Sequence, residues 1–224
     1  IISMFEKDYD NAIEILNRFD KDIRSFGFTP SMVNQTKVSI HNFRSVAHAL
    51  NGSKDQSLKD LQLFKKFSNL VLIDIPDLDN NFINRRNRTL VGIVGGLDDR
   101  LIMARKENQN YFEIFVNILN ENISEANKMI NNSKSLSPIE IDNFNLLKYH
   151  RTKNFKKIFE LFEDNKDILL GEGLQNSMYI NQGFQVFIYA NSLYENNYNP
   201  ELIQKMLRPF YDVRGFGYGF NFFL

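Results

Sequence analysis

The chain contains three histidines, and two of them have a spacing that places them on one side of a helix. His41 and His48 are seven residues apart, so the helical rise predicts that their Cβ atoms lie about 10 Å apart. That distance is too long for both rings to hold one metal ion comfortably, and no carboxylate is expected between them at ligand spacing. We therefore expect His41, His48 and His150 to be surface or half-buried histidines.

Other patterns that carry chemistry are weak in this sequence. There is no cysteine, which excludes disulfides, thiolate metal sites and cysteine nucleophiles. The glycines within residues 92–96 lack the Lys-Ser/Thr ending of a P-loop, and no serine stands in a nucleophile elbow. We predict that the protein is not an enzyme and that it uses no cofactor and no metal.

Two basic patches have the residue types of a nucleic-acid or partner contact, because cations bind phosphates and rings stack on bases. They comprise Arg85, Arg86 and Arg88, and a helix–helix turn with Tyr149, Arg151, Lys153, Lys156 and Lys157. The alternative for the second patch is a charged turn balanced by acids at residues 160–164. Lys plus Arg equal Asp plus Glu at 27 each, so any nucleic-acid contact must be local.

The elements that carry these residues are predicted to be helices. Apolar residues recur at intervals of three and four from Phe5 to Ile23, and Thr29-Pro30 then opens a helix that stops at Asn51-Gly52-Ser53. Ser137-Pro138-Ile139-Glu140 has the pattern of a capping box that opens another. The remaining helices are predicted at about residues 57–72, 81–105, 110–130, 154–162 and 177–195, with a last one opening at 199–201.

The last ten residues differ from the rest because glycines alternate with rings. This period of two predicts an extended segment, and so apolar a tail is expected to dock on the chain's own helices or on a partner. We divide the chain into a helical-repeat domain at 1–214, with a subdivision near 131–137, and a docking tail at 215–224. The rings of the tail are Phe216, Tyr218, Phe220, Phe222 and Phe223.

Two stretches of the chain have the pattern of a two-helix repeat. The positions that carry it are Leu136, Ser137, Pro138, Asn143, Leu147, Tyr149, Phe159 and Phe162, then Phe184, Ile188, Tyr189, Ala190, Asn199, Pro200, Glu201 and Leu202. These stretches resemble the octatricopeptide and RAP-associated repeats of organellar proteins, in which Leu-Ser-Pro and an acidic residue open one helix and a short basic or polar turn leads to the next. Residues 9–42 are similar to a pentatricopeptide repeat, and the resemblance covers about half the chain.

The resemblance implies an all-α fold of stacked antiparallel helical hairpins, an α-solenoid, and a mitochondrial or plastid location. The leading hypothesis is a non-catalytic scaffold subunit of a larger mitochondrial assembly, such as an organellar ribosome, that contacts other protein subunits and RNA. The start at Ile1 agrees with a removed transit peptide or with a fragment. No apolar run spans a bilayer, so we expect a soluble or peripheral protein without an integral membrane segment.

Two alternatives stay open. The first is an organellar RNA-binding helical-repeat factor, which predicts binding that weakens steeply with salt. The second is a bacterial or viral helical domain with a sensor or structural role, which the AT-rich character of the composition favours.

Overall fold

The computed structural model describes residues 7–74, 106–169, 182–201 and 203, and every regular element in these ranges is helical. This confirms the all-α prediction for the described part of the chain. None of the described helices is both long and apolar enough to cross a membrane. The helices are α1 (Tyr9–Asp22), α2 (Pro30–Leu50), α3 (Lys54–Asp74), α4 (Lys106–Leu119), α5 (Ile123–Asn132), α6 (Pro138–Arg151), α7 (Phe155–Leu169) and α8 (Gln182–Glu195), with a 3-10 turn at Ile23–Phe26 after α1.

The helix starts follow the capping residues of the sequence. Thr29 Oγ1 accepts a hydrogen bond from the Met32 amide at 3.3 Å, and Pro30 occupies the first position of α2. At α6 the capping box is complete, because Ser137 accepts from the Glu140 amide while Glu140 accepts from the Ser137 amide. These contacts satisfy amides that have no partner within the helix, and they confirm the two predicted starts.

Four turns of the described chain share one geometry. In each, a residue with positive φ follows the helix, with φ of 78° at Gly52, 59° at Glu121, 54° at Lys153 and 63° at Asn197. Two backbone bonds close the turn; at Lys153 they run from the Lys153 amide to the His150 carbonyl and from the Asn154 amide to the Tyr149 carbonyl. This is the Schellman motif. A serine or asparagine follows within two residues, and the next helix begins directly after it.

The turn at Glu121 corrects one prediction. A single helix over residues 110–130 is wrong, since α4 ends at Leu119 and α5 begins at Ile123. The break contains no glycine or proline, and apolar residues continue at helical intervals on both sides of it. Periodicity therefore conceals the break, whereas the polar run Asn120-Glu121-Asn122 is the local signal of a turn.

The chain forms two compact units, with α1 to α4 in unit 1 and α5 to α8 in unit 2. In unit 1, α2 packs along α3, and the rings of Phe64 and Phe112 lie 4.7 Å apart in the core. In unit 2, α7 packs against α6 and α8, and the rings of Phe162 and Tyr189 lie 4.6 Å apart. Each unit therefore has an aromatic core of its own, as the many phenylalanines of the sequence favour.

Candidate functional site

The predicted basic patch around residue 150 lies on the turn between α6 and α7, and we call residues 148–157 the basic turn. Its α6 side carries Tyr149 and Arg151, both half-buried, near the helix C-terminus. Lys153 occupies the positive-φ position, and Lys156 and Lys157 lie in the first turn of α7; all three are exposed. The structure thus brings the five predicted residues into one short helix–turn–helix segment.

The ring of Tyr149 has two ammonium groups beside it. Lys157 Nζ lies 5.5 Å from the ring centroid and Lys148 Nζ lies 5.1 Å from it, within the range of cation–π attraction. Lys148 Nζ also donates to the side-chain oxygens of Asn145 at 2.8 Å and Asn127 at 3.1 Å. Sequence reasoning missed Lys148, although its place next to Tyr149 in the last turn of α6 was a usable signal.

Crowding of positive charge perturbs this turn. Burial, together with the charge of Lys157, lowers the pKa of Lys148 below its ordinary value. Burial and the charge of Arg151 lower the pKa of His150 in the same way. Because the hydrogen-bond acceptors of Lys148 in the described chain are neutral amide oxygens, no carboxylate offsets the repulsion between Lys148 and Lys157 there.

The positive charges in the first turn of α7 also interact unfavourably with the helix dipole. It contains no acidic residue, whereas Lys156 and Lys157 lie there and Lys153 lies just before it. Cations near a helix N-terminus are unfavourable by roughly 0.3–1 kcal/mol each. Exceptions to such local rules tend to occur where a protein has a function to serve.

The predicted balancing acids compensate this charge only in part. Lys156 Nζ lies 3.8 Å from Glu160, but the two side chains are 81% and 54% exposed, so the pair is weak. Glu163 instead accepts a hydrogen bond from the Tyr189 hydroxyl at 3.0 Å. The basic turn therefore keeps a local excess of positive charge in a chain whose net charge is zero.

The other predicted contact residues lie outside the described part of the chain. They are Arg85, Arg86 and Arg88 of the first basic patch, and Phe216, Tyr218, Phe220, Phe222 and Phe223 of the tail.

The second site is a buried ionic cluster in unit 1, and it corrects the prediction for His41. His41 is not at the surface: its side chain is 2% exposed, and its ring stacks on Phe67 at 5.3 Å. His48 is 14% exposed, in keeping with a half-buried residue. Both rings reach the same carboxylate from α3, since Asp60 lies 2.9 Å from His41 Nδ1 and 3.6 Å from His48 Nε2.

Arg44 extends this cluster across three helices. Its Nε and Nη2 donate to Asp60 at 2.7–3.0 Å, a forked pairing of guanidinium and carboxylate. Its Nη1 donates to Asn17 Oδ1 at 2.8 Å and lies 3.4 Å from Asp20, both on α1. Lys37 pairs with Asp20 at 2.7 Å. Arg44 on α2 therefore joins α1 and α3 at one point.

The protonation states within the cluster follow from its geometry. Burial acts to raise the pKa of Asp60, but hydrogen bonds from His41 and Arg44 and the charge of Arg44 outweigh it and hold that pKa below its usual value. The ionised carboxylate can only accept, so its 2.9 Å contact with His41 needs a proton on Nδ1, whereas Arg44 Nη2, which can only donate, lies 3.1 Å from the same nitrogen. The buried Nε2 of His41 finds no hydrogen-bond partner in the described chain. Burial is the main reason that the pKa of His48 is lowered, with the charge of Arg44 acting the same way.

The cluster is suited to holding helices together and not to chemistry on a bound substrate. Asp60 accepts hydrogen bonds from Arg44 and His41 and its side chain is 6% exposed, while the His41 side chain is 2% exposed, so neither group is open to solvent. Within the described ranges no group of three or more His, Cys, Asp or Glu side chains is arranged to hold a metal ion. The sequence feature that could have identified Asp60 as buried is its place on the same side of α3 as Ser57, Leu61 and Phe64, which are all buried.

Comparison with protein-family models, with curated proteins and with solved structures finds no match.

Proposed function

We propose that this protein is a non-catalytic interaction subunit of a larger mitochondrial assembly, such as an organellar ribosome, and that it docks on protein through an exposed aromatic surface. The observation that carries the proposal is on α1 and the 3-10 turn. Ile15, Phe19 and Phe26 are 46%, 38% and 51% exposed in the described chain. The ring centroids of Phe19 and Phe26 are 5.5 Å apart, and those of Phe26 and Phe28 are 5.8 Å apart.

These residues form a cluster, which we call the α1 aromatic surface. Single exposed apolar residues are ordinary, but adjoining rings that remain in water indicate a contact with a partner. The same region also has a buried side, because Ala12 and Ile23 are 3% and 1% exposed. This region therefore buries an apolar side, and Ile15 and Phe19 add apolar groups to a solvent-facing side of α1 that is otherwise mostly polar.

A solenoid of stacked hairpins is the architecture that we propose for the chain in this role. The four Schellman turns support it, since each one joins successive helices through the same short connection. In such a stack every hairpin has an apolar face that only a neighbour can bury, and a helix at the end needs a cap or a partner. The aromatic tail at 215–224 is the second docking element of the proposal.

The test is purification of the tagged full-length protein from its source, with identification of the proteins that accompany it. We expect stoichiometric recovery with subunits of one large complex. The Phe19→Ser/Phe26→Ser variant should lose those subunits, because truncation of exposed aromatic anchors costs about 2 kcal/mol or more at an interface. Tyr194→Ser is the matched control, since Tyr194 is 63% exposed and lies in unit 2.

Three outcomes decide the proposal. Loss of the subunits with the double variant alone supports the α1 aromatic surface, and loss after truncation at residue 214 supports the tail. Recovery of the wild-type chain as a stable monomer would overturn the scaffold role and favour the bacterial or viral helical domain. The variants are expected to keep the wild-type circular dichroism, since the substituted rings are partly in water.

A further inference from the structure

We propose that the basic turn is a binding site for single-stranded nucleic acid, with a phosphate held by the lysines of the turn and a base stacked on the ring of Tyr149. The proposal develops the RNA-binding alternative and stands on residues of unit 2. It therefore does not depend on the protein partner of the α1 aromatic surface.

The positive charge beside the ring of Tyr149 is uncompensated within the described chain. Lys148 and Lys157 flank one ring, and each carries a positive charge that disfavours the other. The acceptors of Lys148 in the described chain are the amide oxygens of Asn127 and Asn145, which are neutral. A phosphate beside the two ammonium groups would attract each of them and so offset their mutual repulsion.

The remaining lysines of the basic turn lie where an anion is favoured. Lys153 and Lys156 stand at the start of α7, where the helix dipole disfavours cations and favours an anion. Both side chains are exposed, so they are accessible to a ligand as large as a polynucleotide. A bound phosphate would be attracted by these lysines and by the helix dipole at the same time.

The ring of Tyr149 favours nucleic acid among the ligands that carry phosphate. A lipid headgroup or a phosphopeptide would use the charge and would gain little from a tyrosine ring. A single-stranded polynucleotide presents a base beside each phosphate, and aromatic rings next to a basic surface bind such strands by stacking. Tyr149 is half-buried and lies among the lysines, so charge and ring occur together.

The experiment measures binding of the full-length protein to a labelled uridine-rich RNA of about 20 nucleotides by fluorescence anisotropy across a series of salt concentrations. The Lys153→Gln/Lys157→Gln variant is expected to bind roughly tenfold more weakly at low salt. Its plot of log K against log salt should be shallower by about 0.7 for each phosphate that the variant no longer neutralises. Lys54→Gln/Lys59→Gln in α3 removes the same charge from unit 1 and should leave binding unchanged.

The ring is tested separately. Tyr149→Leu should weaken binding about fivefold to 100-fold at every salt concentration, which is the range for removal of one base stack. Tyr149→Phe keeps the ring and should bind as the wild type does. Circular dichroism and thermal melting of each variant establish that the helices are intact.

The following results would overturn the proposal. One is RNA binding that is absent, insensitive to salt, or reduced equally by the α3 control. Another is tighter binding to vesicles containing anionic lipid or to a phosphoserine peptide, abolished by the same lysine substitutions.

One result would support the proposal and separate this site from the scaffold role. In that result the lysine variant fails to bind RNA and still recovers all of the partner subunits.

Discussion

Arg44 shows how one residue joins three helices. It donates to Asn17 on α1 and to Asp60 on α3, whose carboxylate is 6% exposed. A buried charge is tolerated only when it is paired and hydrogen-bonded, so the positions of Arg44 and His41 are tied to that of Asp60. The cluster therefore fixes the register of α2 on α3.

At this scale we predict the effect of removing the guanidinium. Arg44→Met should lower the free energy of unfolding by about 3 kcal/mol, because Asp60 would stay buried with its main counter-ion gone. Equilibrium denaturation in urea measures the change. The double variant Arg44→Met/Asp60→Asn should be less destabilised than Arg44→Met alone, since the unpaired charge is removed. A single and a double variant of equal stability would show that Asp60 does not depend on Arg44.

At the scale of elements, the Schellman turns decide where the helices end. Gly52 has φ of +78°, in the region where a Cβ is strained, and an added Cβ would find no heavy atom within 4 Å. Any loss of stability caused by a side chain at this position is therefore due to strain in the backbone conformation and not to a steric clash with neighbouring atoms. The other three turns place Glu121, Lys153 and Asn197 in the same conformation, which shows that the hydrogen bonds of the motif outweigh the strain there.

We accordingly predict that Gly52→Ala lowers the free energy of unfolding by about 1 kcal/mol. Gly52→Asn should cost less, since asparagine tolerates the left-handed region better than alanine does. Thermal and urea denaturation of both variants would measure the order. If alanine had no effect, the strain at this turn would be relieved by a change of backbone conformation, contrary to this prediction.

At the scale of the whole molecule, histidine protonation links stability to pH. The pKa values of His48 in unit 1 and His150 in unit 2 are lowered, chiefly by burial, from the ordinary value of 6.5. The unfolded chain therefore binds protons that the folded chain rejects as the pH falls below 6.5. The stability that depends on neutral His48 and His150 is fully present above pH 6.5, and it is lost on acidification toward their lowered pKa values.

We predict that the melting temperature falls between about pH 7.5 and pH 5.5. His48→Gln and His150→Gln should each remove part of the slope, and the two parts should add because each residue belongs to a different unit. The lowered pKa of Asp60 lies below the ordinary aspartate value of 3.8, so Asp60 does not titrate in this range. A slope that stayed unchanged in the double variant would show that other groups control it.

The sequence by itself determined the local features of this protein. Thr29-Pro30 and Ser137-Pro138-Ile139-Glu140 specified helix starts because capping needs only residues within one turn of each other. Apolar spacing specified the helical class for the same reason. The basic turn was also visible, since its residues are close along the chain.

Only the tertiary structure decided what depends on neighbouring helices. His41 was predicted to be a surface or half-buried residue because its partner Asp60 is 19 residues away and on another helix. The break at Glu121 was hidden because apolar residues recur at helical intervals in both α4 and α5. That spacing reflects the side that each helix buries and does not show where one helix ends. The pairing of Lys148 with Lys157 around Tyr149 needed the turn at Lys153. Contacts between helices depend on packing, and the pattern of a single helix does not contain them.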